Sequence, residues 1–183
     1  MKVHPTSIQG VYLAETFPSK DRRGLFYRAF CEHELALILQ GRRICQINIS
    51  QTAAVGAIRG LHYQNPPHAE MKLIRCLRGR VWDVALDLRQ GSATLLKWHS
   101  EELSAENARM MIIPEGCAHG FQVLEPDSEM LYLHTAPYDP SSEGSVRYDD
   151  PAVSITWPLA ATDISQRDVV HRFLNQGFGG IKI

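Results

Sequence analysis

The segment Val81-Trp82-Asp83-Val84-Ala85-Leu86-Asp87-Leu88 alternates with a period of two, with Trp82, Val84, Leu86 and Leu88 on one face and Asp83 and Asp87 on the other. That period is the side-chain spacing of a β-strand. Just before it, Arg78-Gly79-Arg80 reads as a tight turn, and Met71 to Arg78 reads as a second apolar strand. Working outward, further strand candidates are Val11–Phe17, Leu25–Phe30, Ile44–Ser50, Thr94–Leu103, Met110–Ile113, Gly120–Leu124 and Met130–His134. Many short strands punctuated by Gly, Pro and Asn predict an all-β sandwich or barrel. Helix is scarce: Glu32 to Leu39, closed by Gly41, is the best candidate, and Gln166 to Leu174 offers a short second one. Ala136 to Pro158 carries Pro137, Pro140, Pro151 and Pro158 and predicts a long, ordered surface excursion.

The 183 residues predict a single domain over 1–183, large enough to bury a core without staples. Lys+Arg is 19 against Asp+Glu 20, a net charge of −1, which argues against a nonspecific nucleic-acid or membrane-surface binder. Of the basic residues 14 are Arg and 5 are Lys, and Arg is the better bidentate partner for phosphate. The N-terminus has no apolar signal-like stretch, and the longest clean apolar run, Leu35 to Leu39, is far short of a membrane span. Cys31, Cys45, Cys76 and Cys117 form no C-x-x-C pair, so neither disulfides nor a cysteine zinc site is expected. These features predict a cytoplasmic protein with reduced thiols.

Two kinds of chemistry fit the residues between the strands. A metal site in a small barrel collects histidines and a carboxylate from distant strands. Here the position two after His62 is Gln64, which breaks the usual histidine pair and leaves His68 and Glu70, with His119 more distant. Metal-free acid–base work needs a neutral histidine oriented by a carboxylate, a cation for a developing oxyanion, and a second acid. His62, Asp168, Lys72 and Tyr132 offer those roles. Each has an ordinary structural reading too: a bonded strand histidine, a helix-start aspartate, a solvated lysine, a core tyrosine. Arg23 and Arg59 are candidates for binding phosphate.

Arg59-Gly60-Leu61-His62-Tyr63-Gln64, Pro67-His68-Ala69 and Lys72-Leu73-Ile74-Arg75 resemble the dTDP-4-dehydrorhamnose 3,5-epimerase family. Further matches follow in order: Arg78-Gly79, Asp83 to Arg89, Leu103 to Asn107, Ile113 to Gly116, Ala118 to Phe121, Arg147 to Pro151 and Ile155 to Pro158. The resemblance runs from about residue 8 to 170. It implies a cupin-type jelly-roll β-sandwich, a homodimer that shares strands, and neither metal nor organic cofactor. It implies a nucleotide-linked 4-keto-6-deoxyhexose as substrate, inverted at C3 and C5. Carried over by position, His62 corresponds to the general base and Asp168 to the residue that orients it. Lys72 corresponds to the cation near the C4 oxygen, and Tyr132 to the acid that reprotonates carbon from the opposite face. Arg23 and Arg59 correspond to diphosphate-binding arginines, and Phe26, Gln46, Asn48, His119 and Tyr138 to further substrate-pocket residues.

Three positions depart from the family pattern. Members usually carry Glu, near the nucleotide, at the position of Arg28, Asp at Ile47 and Lys at Leu133. A charge reversal at a nucleotide-facing position changes which groups can be paired there, so Arg28 is a candidate substrate contact with altered preference. Inversion at one carbon only, or of a different nucleotide ketosugar, is the nearest alternative. A non-catalytic nucleotide-sugar-binding cupin and a metal-dependent cupin enzyme are the more distant ones.

Overall fold

The computed structural model describes residues 1–183. Thirteen strands and two short helices form. The first five strands are β1 (Lys2–Pro5), β2 (Tyr12–Glu15), β3 (Ser19–Asp21), β4 (Gly24–Phe26) and β5 (Gln46–Thr52), with helix α1 (Ala36–Leu39) before β5. β6 (Ile58–Gln64), β7 (Lys72–Arg78), β8 (Arg80–Asp87) and β9 (Trp98–Ser104) follow. The last are β10 (Arg109–Ile113), β11 (Cys117–Val123), β12 (Ser128–His134) and β13 (Glu143–Ser145), with α2 (Gln166–Val170) behind them. A six-stranded sheet of order β1-β2-β10-β7-β12-β5 faces a five-stranded sheet of order β13-β6-β11-β8-β9. All their pairings are antiparallel. This is the expected cupin-type jelly-roll sandwich. No helix is long and apolar enough to cross a membrane.

Alternation sorts the side chains into three layers. Between the sheets lie Leu13, Ile74, Cys76, Val81, Ala85, Met111, Phe121 and Met130. Outside the six-stranded sheet, Leu35 and Leu39 cover Leu73, Met110, Ile112 and Leu133. Outside the five-stranded sheet, Val84, Leu86, Leu88 and Ala118 are covered by Trp157, Leu174, Phe178 and Ile181. The apolar face of β8 therefore points away from the sheet–sheet interior, and Asp83 points into it.

Several elements differ from the sequence-based expectation. The strand expected from Thr94 begins only at Trp98, because the buried Asp87 carboxylate accepts from Ser92 Oγ and Thr94 Oγ1, each at 2.6 Å, and holds that stretch as a turn. Burial pushes the Asp87 carboxyl up, but five hydrogen bonds from Arg89, Ser92 and Thr94 outweigh it and bring the carboxyl down to about 2. The first helix is one turn, Ala36–Leu39, since Leu35 at its N-cap supplies no capping oxygen. The second stops at Val170, and Leu174 N–H donates instead to Asp150 Oδ2 at 2.7 Å. The strand expected over Leu25–Phe30 shrinks to Gly24–Phe26, paired only with β3. The chain leaves it at Tyr27, whose ring lies 5.0 Å from the buried Arg75 guanidinium. Strands β1, β3, β6 and β13 are absent from the sequence-based expectation: β1 and β13 form at sheet edges, β3 in that hairpin, and β6 takes up residues 58–64 between β13 and β11. The excursion from 136 to 158 is ordered as expected: Trp157 Nε1 donates to Tyr148 O at 2.8 Å and Trp98 Nε1 to Val153 O at 3.2 Å.

Candidate active site

A cavity of about 920 Å³ opens between the two sheets, within the size range of small-molecule sites. Its walls follow from strand register. On the five-stranded sheet His62 of β6 is the direct partner of His119 of β11. On the six-stranded sheet Tyr132 of β12 lies between Asn48 of β5 and Ile74 of β7, and His134 lies between Gln46 and Lys72. Side chains two apart on one strand share a face, so Lys72, Tyr132 and His134 all enter the cavity. His62 thus stands on one wall and Tyr132 on the facing one.

The reach from α2 to His62 is built locally. The segment before α2 lies along β6, with Ile58 N–H donating to Asp163 O at 3.0 Å and a parallel bridge between Ile58 and Ile164. Ser165 caps α2 by accepting from Asp168 N–H at 3.1 Å. Asp168, in the first turn, then accepts from His62 Nε2 at 2.7 Å. β6 itself passes very close to β11: a Cβ on Gly60, whose φ is +123°, would sit 2.5 Å from Gly120 Cα. Glycine at that position lets His62 and His119 approach as a pair.

Three histidines line this one cavity, and each is paired with a carboxylate at 2.7 Å: His62 with Asp168, His119 with Asp83 and His134 with Glu70. Their electrostatics differ. Burial pushes Asp168 up, but the bonds from His62, Ser165 and the Gly60 backbone outweigh it and leave the carboxyl below its usual range. Asp168 is therefore ionised, and His62 Nε2 carries the bonded proton. Nδ1 is left with the lone pair, as a general base requires. Asp83 is fully enclosed, and burial raises its carboxyl despite His119; its Oδ2 has no partner. Glu70 is pushed up by burial and brought below its usual value by His134 and Lys72. Of these histidines only His62, with its side chain 32% exposed, combines an ionised partner with open access.

Lys72 Nζ donates to the His62 carbonyl at 3.1 Å and lies 3.3 Å from Glu70 Oε1. Tyr132 Oη shares a 2.9 Å hydrogen bond with Ser50 Oγ. Burial pushes the Tyr132 hydroxyl well above its ordinary value, partly countered by Ser50, so it keeps its proton at neutral pH. A base with a free lone pair, a cation and a protonated phenol thus face one space. That combination can remove a proton beside a carbonyl, stabilise the resulting enolate and return a proton from the other wall.

The remaining candidates divide. Arg59 lines the cavity and is steadied by Thr52 Oγ1 at 2.8 Å. Asn48, His119 and Tyr138 also line it. Gln46 adjoins it, donating to Asn48 Oδ1 at 3.3 Å and accepting from Tyr138 N–H at 3.0 Å. Arg23, Phe26 and Arg28 are not brought to the cavity of their own chain. The β3–β4 hairpin pairs with no other strand, so Phe26 is left 79% exposed and Arg23 bonds to Asp21 in its own turn. Arg28 pairs with Glu34, which also takes the Met1 amino group. Of the other departures, Ile47 is at the cavity wall, whereas Leu133 is 4% exposed in the outer core against α1. The His68, Glu70 and His119 set does not assemble: His68 bonds to Ser142, Glu70 to His134, and His119 to Asp83. No group of three or more His, Cys, Asp or Glu side chains is arranged to hold a metal ion.

Ser50, Asp83, His134, Glu143 and Arg167 belong to the site and were not singled out from sequence. Period-two spacing from Asn48 to Ser50 and from Tyr132 to His134 was the signal available for two of them. Tyr138 Oη donates to Glu143 Oε2 at 3.0 Å, and Arg167 pairs with the other oxygen, closing one rim of the cavity.

A family model described as dTDP-4-dehydrorhamnose 3,5-epimerase matches residues 5–176. A Salmonella typhimurium protein of that name is 38% identical over 96% of this chain and 97% of its own. A Sinorhizobium fredii protein of the same name is 41% identical over 88% of this chain and 84% of its own. A Legionella pneumophila crystal structure, described as a dTDP-6-deoxy-D-glucose-3,5-epimerase in complex with dTDP-4-keto-L-rhamnose, is 37% identical. It superposes with a TM-score of 0.89 over 94% of this chain and 92% of that one.

Proposed function

This chain belongs to the dTDP-4-dehydrorhamnose 3,5-epimerase family, and we propose that it inverts a nucleotide-linked 4-keto-6-deoxyhexose by proton transfer at the two carbons flanking the ketone. The C4 carbonyl acidifies the C3 and C5 hydrogens, since loss of either gives an enolate. His62 Nδ1 takes the proton, and the ionised Asp168 at 2.7 Å stabilises the imidazolium that forms. Lys72 faces the C4 oxygen as charge gathers there. Tyr132 then donates its phenolic proton to the same carbon from the opposite side, and the carbon is inverted. Imidazolium and phenolate are reset by exchange with solvent before the next cycle. Arg59, Asn48, Gln46, His119 and Tyr138 hold the rest of the substrate.

The observation that carries this reading is the placement of the His62–Asp168 pair and Tyr132 on facing sheets of one cavity. Inversion needs a proton to leave one face of a carbon and arrive on the other. The test is incubation of dTDP-4-keto-6-deoxyglucose with the protein in D₂O, read by mass spectrometry and NMR. Deuterium at both C3 and C5 with formation of the L-sugar is expected. No uptake by folded protein would overturn the reading, and uptake at one carbon would restrict it to a single-site epimerase.

The same reading makes the protein a cytoplasmic homodimer of one-domain subunits. The exposed β3–β4 hairpin, with Phe17 and Phe26 uncovered, supports exchange of this arm between subunits. Arg23, Phe26 and Arg28 would then serve the partner's cavity, which accounts for their distance from their own.

A further inference from the structure

Two of the three histidine–carboxylate pairs in the cavity take no part in the proton transfers above. One of them touches the lysine on which that chemistry depends. β12 and β7 pair so that His134 stands directly opposite Lys72, and Glu70 lies two residues before Lys72 in the chain. The Glu70 carboxylate is divided between them: Oε2 accepts from His134 Nδ1 at 2.7 Å, and Oε1 lies 3.3 Å from Lys72 Nζ. Asn48 Nδ2 approaches the other His134 nitrogen at 3.5 Å, which makes Nε2 the acceptor and leaves the proton on Nδ1. The Tyr132 ring stacks beside His134 with centroids 6.2 Å apart. Glu70, Lys72 and His134 are all buried, so their charges act on one another with little screening.

A carboxylate closed on an ammonium with both oxygens neutralises it and weakens its pull on a second anion. In this cavity the closer bond of Glu70 goes to His134, and the looser contact goes to Lys72. On the reading of Lys72 as the cation that meets the C4 oxygen, we propose that His134 is a positioning residue for Lys72. Its Nδ1–H holds one oxygen of Glu70, limits the grip of that carboxylate on the ammonium, and leaves Lys72 to receive the enolate charge. Glu70 in turn, with the His62 carbonyl, aims the ammonium into the cavity. The electrophile is then set by a three-residue unit, Lys72–Glu70–His134.

Side-chain geometry supplies the test. H134N keeps a donor near the place of Nδ1, whereas H134Q carries its donor further out, toward the place of Nε2. We expect H134N to hold kcat within about threefold of wild type and H134Q to lose about tenfold in kcat with KM little changed, a fraction of what a full oxyanion donor supplies. E70Q/H134Q should recover most of that loss, because a neutral amide cannot neutralise Lys72. Equal kcat for H134N and H134Q, or no recovery in the double variant, would overturn the proposal. A crystal structure of H134Q gives a readout that needs no substrate: both Glu70 oxygens should turn onto Lys72, and an unmoved Glu70 would overturn it. Absence of deuterium uptake by the wild-type protein would instead count against the epimerase reading, and the H134Q structure would still decide the role of His134.

Discussion

Replacing Asp168 by Asn removes one charge from the floor of the cavity and little else. The cap on α2 survives, because Ser165 accepts from the Asp168 backbone N–H rather than from its side chain. What is lost is the attraction between the carboxylate and the imidazolium that forms as His62 takes the proton. At 2.7 Å and an effective dielectric of about 20, that attraction is about 6 kcal/mol. The His62 side chain is 32% exposed, and solvent screening of that order roughly halves the figure, to about 3 kcal/mol. Each 1.36 kcal/mol is about tenfold in rate, so D168N should slow proton abstraction about a hundredfold. The assay is the initial rate of deuterium wash-in at C3 and C5 from D₂O, measured from pH 5 to 9. The wild-type Asp168 carboxyl is held below its usual range, so it stays ionised across that window. A D168N protein with turnover within about threefold of wild type would refute the dyad.

Y132F should separate the two half-reactions: hydrogen at the carbon facing His62 still exchanges, while formation of the inverted sugar falls about a hundredfold; inverted product at the wild-type rate would remove Tyr132 from the acid role. Mixing inactive H62A with R23A should restore activity through hybrid dimers if the β3–β4 arm serves the partner's cavity, and no recovery after subunit exchange would reject the exchange. D87N should lower stability at pH 7 by about 2 kcal/mol, the equivalent of moving a carboxyl from 3.8 to about 2. Since the folded value is the lower one, that contribution is present above pH 4 and is lost as pH falls toward 2, so thermal melts of wild type and D87N should converge over that range; parallel melts would mean that Asp87 acts only through its shape.

Much of this protein was legible along the chain. Period-two alternation at residues 81–88 and the short runs around it determined an all-β fold, because strand periodicity is a local property of side-chain direction. The family resemblance over about residues 8 to 170 set His62, Lys72, Tyr132 and Asp168 side by side, and all four line one cavity. Local bonding to distant residues was not legible. Asp87 turns residues 94–97 away from the expected strand, and Asp150 draws Leu174 out of a helix. The face of β8 that is interior was likewise open. Trp82, Val84, Leu86 and Leu88 form the more apolar face, yet the C-terminal segment covers them, and Asp83 is the side chain that points between the sheets, where it pairs with His119.

The sequence by itself determined the all-β class, the family and a short set of titratable side chains. The tertiary structure decided what those side chains are. It paired each of three histidines with a carboxylate from another part of the chain, 106, 36 and 64 residues away. Burial raises all three carboxyls; the bonds from His62, Ser165 and Gly60 outweigh it at Asp168 and those from His134 and Lys72 at Glu70, whereas Asp83 stays raised. The fold also left the hairpin of Arg23 and Phe26 outside the cavity. The physical reason is that a side chain's protonation and reach depend on the groups packed against it, and those come from strands joined only by the fold.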